Sequence, residues 1–359
     1  MNTLGNKLKV TIFGQSHAPA IGCVVDGLPA GFAPDMERLT AFMARRAPGR
    51  NAWSTPRKES DAPEILSGLV EGRTCGAPVA AVIRNGDQHS RDYSGLRRTP
   101  RPSHADYTAL IKYGDDYDIR GGGQFSGRLT APLCFAGGLA LQLLEQRNVR
   151  VAAHIDRIGG VSDSAPDFAA VSREELEKLL QKPFPVFDDG AGMRMRQAIE
   201  AARMDTDSVG GVIRCFALGV PAGMGEPMFG GVENRLAAAL FGIPAVRGVS
   251  FGTGFAAASM RGSEHNDPFI MDGDRVSART NHAGGVLGGI TTGMPLVVNI
   301  GIKPTASIAK EQDTVDLEKR ENARLIIHGR HDPCIVPRAV PVVEAVTALT
   351  LLDMLLEDN

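Results

Sequence analysis

The pentapeptide Gly27-Leu28-Pro29-Ala30-Gly31 returns as Gly219-Val220-Pro221-Ala222-Gly223. In both places it closes a short apolar segment, residues 23–26 in one case and Gly211–Leu218 in the other. Glycine and proline after an apolar run end a buried strand in a tight turn. The same punctuation at two distant points of the chain implies an internally duplicated architecture.

The remaining pattern supplies further elements. Residues 7–13 alternate polar and apolar as a half-buried strand, and 78–84, 149–155, 245–255 and Leu296–Ile302 read as further strands. Asp35 can cap a helix carrying Leu39 and Met43, which stops at Ala47-Pro48-Gly49 and so delivers Arg45 and Arg46 at its C-terminal end. Ser172 with Glu175 forms a capping box ahead of Leu176, Leu179 and Leu180. Helices are also expected over 133–146 (amphipathic), 190–204, 232–241 and 342–356. No linker or low-complexity segment interrupts the 359 residues, so 1–359 reads as a single domain with mixed helices and strands.

Composition narrows the function. A net charge of −2 and only 5% aromatic residues argue against a nucleic-acid surface. No apolar run approaches the roughly 18–20 residues of a membrane span, and the N-terminus lacks a signal-peptide core, so a cytoplasmic protein is expected. The five cysteines (Cys23, Cys75, Cys134, Cys215, Cys334) have neither metal-ligand spacing nor a disulfide framework. Charge is unevenly placed: Arg45, Arg46, Arg50, Arg57 and Lys58 fall within fourteen residues without an acid, and Arg97, Arg98 and Arg101 follow. Arginine in excess of lysine favours forked recognition of carboxylate or phosphate.

The stretch 101–132 concentrates such chemistry. It holds Arg101, His104, Arg120, the triplet Gly121-Gly122-Gly123, Ser126 and Arg128. Free backbone N–H groups bracketed by arginines make an anion cradle, although the spacing is that of neither a dinucleotide fold nor a P-loop. His17 falls just past a strand end. The pairs Gly284-Gly285 and Gly288-Gly289, followed by a strand ending at Lys303-Pro304-Thr305, suggest close backbone packing or a phosphate site.

Seven motifs fall in order along nearly the whole chain: FGQSH at 13–17, RPSHADYT at 101–108, RGGG…SGR at 120–128, GTGF…GS…ND at 252–267, TNHAGGVLGG at 280–289, KPTASI at 303–308 and GRHDPC at 329–334. Together they resemble the chorismate synthase family. The resemblance implies an α+β fold, a β-α-β sandwich with internal pseudo-two-fold duplication, assembled as a homotetramer. It implies a lyase of the shikimate pathway to aromatic amino acids, which converts 5-enolpyruvylshikimate 3-phosphate to chorismate and phosphate by anti-1,4-elimination with reduced FMN. With no second domain in view, the flavin would be reduced by an external reductase.

By the same resemblance, His17 would be the acid at the departing phosphate, His104 would protonate the reduced flavin, and Asp332 would help its N5 act as a base. Arg46, Arg50, Arg57, Arg101 and Arg128 would hold substrate. Gln124, Phe125, Ser126, Glu233, Asn234, Gly288, Lys303, Pro304, Thr305, Ala306, Ser307 and Arg330 would contact flavin. The chain departs from the family pattern at Gln15, Ala18, Ala52, Gln124, Phe125 and Leu129. Two other classes remain: a flavin- or phosphate-binding relative without elimination activity, and a basic-patch nucleic-acid binder.

Overall fold

The computed structural model describes residues 2–49, 61–86, 96–164, 166–327 and 332–357. Arg50, Ala52, Arg57 and Arg330 lie outside them. Strands β1 (Thr3–Leu4), β2 (Lys9–Gly14), β3 (Ala20–Asp26), β4 (Pro63–Ser67) and β5 (Val79–Arg84) form an antiparallel sheet in the order β1-β2-β3-β5-β4. A second antiparallel sheet, β9-β10-β8-β6-β7, is built from β6 (Arg150–Ile158), β7 (Val161–Ser162), β8 (Gly211–Leu218), β9 (Val246–Phe251) and β10 (Leu296–Ile302). Helices α1 (Met36–Arg46), α2 (Asp106–Tyr113) and α3 (Thr130–Glu145) belong to the first half. Helices α4 (Arg173–Leu180), α5 (Asp189–Met204), α6 (Val232–Leu240) and α7 (Val336–Glu357) belong to the second. α3 packs on the first sheet, α7 on the second, and the two helices pack on each other, so the sheets enclose the helices.

The duplication is visible in the connectivity. Apart from β1 and α2 in the first half and β7, α4 and α5 in the second, the halves run alike: β2-β3-α1-β4-β5-α3 with spatial order β2-β3-β5-β4, and β6-β8-α6-β9-β10-α7 with spatial order β6-β8-β10-β9. The repeated pentapeptides occupy equivalent corners. Gly27 and Gly219 have φ of 90° and 79°, and a Cβ at either would lie 2.0 or 2.3 Å from the carbonyl oxygen of Lys7 or Asn148, just before β2 or β6. Thr74 fastens the first corner: its hydroxyl donates to Pro29 O (2.5 Å) and accepts from Phe32 N (3.0 Å). Thr291 fastens the second in the same way, to Pro221 O (2.6 Å) and from Met224 N (2.9 Å). Thr-x-Gly-x-Pro at 74–78 and 291–295 is thus a second internal repeat, one that the pentapeptides do not announce.

The capping signals hold. Asp35 accepts from Arg38 N and Ser172 forms its capping box with Glu175. Two expectations are corrected. Helix α3 is buried on nearly all sides rather than amphipathic, because it lies between a sheet and another helix. Helix α7 begins at Val336, six residues before the expected start, with Pro341 inside it. A proline so near the N-terminus forfeits only the bond to the Pro337 carbonyl. By length and composition α7 and the segment Gly127–Glu145 could cross a bilayer, contrary to the expectation that no apolar run approaches that length. Their windows are 89% and 78% buried inside the protein, as core helices are.

Polar ties fix the helices. The buried Glu344 of α7 accepts a forked pair from Arg45 (2.6 and 3.0 Å) and Ala153 N (3.0 Å), joining α1, β6 and α7. One hydrophobic cluster extends from Leu8 to Leu355 and draws on both halves.

Candidate active site

The α1 C-terminus, the segment after β5 and the start of α3 meet their duplicated counterparts at one end of the sandwich: the α6 C-terminus, the segment after β10 and the start of α7. Between them lies a cavity of about 570 Å³. The first half lines it with Arg46, Pro48, residues of 101–105 and residues of 121–130, and the second with 241–247, Lys303 to Ser307 and residues of 332–342. The cavity therefore sits where the two halves meet, and the N-termini of α3 and α7 both open on it. Helix N-termini present free N–H groups and partial positive charge, which favour anions.

The glycine triplet is what lets the chain enter this space. Gly121, Gly122 and Gly123 all have positive φ (59°, 84° and 54°). A Cβ on Gly121 would lie 2.6 Å from Ser16 Oγ and 2.7 Å from the His17 ring, and one on Gly122 would lie 3.4 Å from His104 Nε2. The triplet thus threads between the two histidines. His17 is buried behind Gly121 and does not itself line the cavity, whereas His104 does.

His104 is fixed by a carboxylate absent from the sequence assignment. Asp106 accepts from His104 Nδ1 (2.7 Å), from Arg101 Nε and one terminal nitrogen (2.7 Å each), and from Arg101 N (3.1 Å). Arg101 also approaches Nδ1 (3.1 Å), but a guanidinium only donates, so the shorter contact to Asp106 fixes the proton on Nδ1. Nε2 is then the nitrogen left facing the glycine loop and the cavity. Burial would raise the Asp106 pKa, yet the bonds from Arg101 and His104 outweigh it and hold the carboxyl well below its usual range.

The other cations are similarly held. Buried Asp61 bridges Arg46 (2.5 Å) and Arg128. Arg128 Nε donates to Asn85 Oδ1 (3.1 Å), while Asn85 Nδ2 donates to Ala18 O (2.8 Å), which ties the His17 loop to the arginine pair. Asp332 accepts from Arg338 (2.5 Å), whose Nε donates to Arg46 O (3.0 Å). Further bonds stitch the halves across the cavity, among them Arg101 to Ser307 Oγ (3.1 Å) and Lys303 Nζ to Ser103 O (2.6 Å).

Of the expected site residues, Arg46, Arg101, His104, Gln124, Phe125, Ser126, Arg128, Lys303, Pro304, Thr305, Ala306, Ser307 and Asp332 line this cavity. Gln124 and Phe125 also border a neighbouring space of about 270 Å³ with Gln15, Tyr113, Tyr117, Asp116 and Asp118. Glu233, Asn234 and Gly288 do not line it. Glu233 and Asn234 belong to the first turn of α6, and it is the other end of that helix that reaches the cavity. Arg50, Arg57 and Arg330 lie outside the described residues. Asp61, Asp106, Arg338, Arg247 and the 241–246 segment went unread, although the His-x-Asp spacing at 104–106 and the arginine shortly after HDPC were available signals.

The chorismate synthase family model matches residues 8–356. The chain belongs to the chorismate synthase family. It is 48% identical to the chorismate synthase of Thermococcus gammatolerans, over 98% of this chain and 97% of that protein. It is 43% identical to the chorismate synthase of Lancefieldella parvula, over 99% and 96%. A solved chorismate synthase crystal structure superposes with a TM-score of 0.76 at 26% identity, covering 99% of this chain and 93% of the other. As a member of this family the protein is a lyase of aromatic amino acid biosynthesis, converting 5-enolpyruvylshikimate 3-phosphate to chorismate and phosphate.

Proposed function

We propose that reduced FMN and 5-enolpyruvylshikimate 3-phosphate bind together in the cavity between the two halves and that the 1,4-elimination takes place there. The observation that carries this is the convergence on one cavity of an oriented histidine, His104 on Asp106, the buried arginines Arg46 and Arg128, and two helix N-termini. A volume of about 570 Å³ suits a cofactor site, and its lining combines apolar side chains (Phe125, Ile243, Ile335, Val342) with cations, as a flavin ring and a phosphate require.

The hydrogen lost in the elimination is not acidified by a neighbouring carbonyl, so a side-chain base alone is insufficient. Reduced flavin, when bound, would supply electron density to the departing phosphate's side of the substrate and an acceptor for that hydrogen. The protein's share is positioning and proton control. Arg46 and Arg128, preset by Asp61, hold the substrate's anionic groups. His17 stands behind Gly121 as the acid for the departing phosphate. His104, its Nδ1 proton held by Asp106, would donate a proton from Nε2 at the flavin edge, and Asp332, gripped by Arg338, faces the same space. Lys303 to Ser307, which line the cavity from the second half, would hold the flavin.

The whole chain acts as one domain in this reading, supported by its continuous core, and works in the cytoplasm as a homotetramer with flavin reduced by an external reductase. Exposed Phe229, Phe255, Phe269 and Met271 on the second half offer apolar surface for assembly. The test is anaerobic turnover with dithionite-reduced FMN, following chorismate and phosphate. Turnover is expected, with at least a roughly 100-fold loss in His17→Ala and His104→Ala, and none with NADPH and oxidised FMN alone. A chain that binds FMN yet forms no chorismate would overturn the reading.

A further inference from the structure

Five arginines line the cavity among the described residues: Arg46, Arg101, Arg128, Arg247 and Arg338. Four are held by carboxylates, Arg46 and Arg128 by Asp61, Arg101 by Asp106 and Arg338 by Asp332. Arg247 is exposed and has no hydrogen bond or ion pair among the described residues. Its backbone explains its aim. In the ladder of edge strand β9 with β10, Val246 pairs with Ile302 and Gly248 with Gly301, so Arg247 is the extra residue of a β-bulge. Pairing continues beyond it through Lys303 N to Ala245 O (3.0 Å). Bulges redirect side chains, and this one turns a guanidinium to the cavity instead of along the sheet.

Lys303 lines the same lip, held by Ser103. Burial first, and then the charge of Arg247, hold its ammonium below the usual lysine range. Two cations that line one cavity and feel each other's charge repel one another unless a ligand anion intervenes. We infer that Arg247 is a binding residue for a phosphate monoester dianion, seated at the cavity lip beside Lys303. The dianion is that of the flavin or that of the substrate. The inference rests on the reading of the cavity as the flavin and substrate site.

The test uses the full chain, wild type, Arg247→Ala and Arg247→Lys. Oxidised FMN and riboflavin are titrated by flavin fluorescence, and 5-enolpyruvylshikimate 3-phosphate by calorimetry. Arg247 is exposed and makes no hydrogen bond or ion pair among the described residues, so the variants are expected to melt with the wild type. Arg247→Ala is expected to weaken one phosphate-bearing ligand by about tenfold or more, with partial recovery in Arg247→Lys. Loss toward FMN with riboflavin unchanged assigns the flavin phosphate; loss toward the substrate with FMN unchanged assigns the substrate phosphate. Wild-type affinity for both, or equal loss toward FMN and riboflavin, overturns the inference. A wild-type chain that binds neither FMN nor substrate overturns the reading beneath it instead.

Discussion

At Asp106 one buried carboxylate serves His104, the Arg101 guanidinium and the Arg101 amide together. Its pKa is depressed in the folded chain. It therefore contributes stability that is present above the unfolded value near 3.9 and is lost as the pH falls toward the folded value. Asp106→Asn keeps the shape but strands a buried guanidinium, at a cost of about 3 kcal/mol at neutral pH. Denaturant melts should show that deficit at pH 7 and a smaller one near pH 3; an equal deficit at both would contradict the charge argument. The HAD tripeptide was legible as a motif, but its aspartate's task was not, since that depends on a fold bringing positions 101, 104 and 106 around one carboxylate. Arg247 was hidden for a different reason: a bulge is a mismatch between two strands and leaves no mark on either one alone.

The duplicated corners belong to the scale of elements. Thr74 and Thr291 each satisfy one carbonyl and one amide that nothing else nearby replaces. Thr74→Val and Thr291→Val should each cost about 1–3 kcal/mol by leaving those groups unpaired. Because the two corners fasten different sheets, the double variant should approach the sum within about 0.5 kcal/mol. Urea unfolding of the single and double variants measures this; an effect at one corner only would contradict their equivalence. The pentapeptide repeat was enough to suggest duplication, and Gly211–Leu218 and Leu296–Ile302 were bounded correctly, since each mostly apolar run is closed by Gly219 or by Lys303-Pro304. The start of α7 was misplaced because Pro341 looks like a boundary, when the helix in fact begins a turn and a half earlier.

At the scale of the molecule, two similar halves each supply a helix C-terminus, a strand exit and a helix N-terminus to one cavity. The motifs in sequence identified the contributing stretches but not which of them meet. Glu233, Asn234 and Gly288 share their neighbourhoods with cavity elements in sequence and lie elsewhere in space, while residues 241–247 line the cavity. Hydrogen exchange of the full chain, with and without oxidised FMN plus 5-enolpyruvylshikimate 3-phosphate, tests this arrangement most directly. Protection is expected in both halves at once, over 101–105 and 121–130 in the first and over 241–247, 303–307 and 335–342 in the second. Protection confined to one half, or centred on 231–234 and 286–289, would contradict a site built where the halves meet.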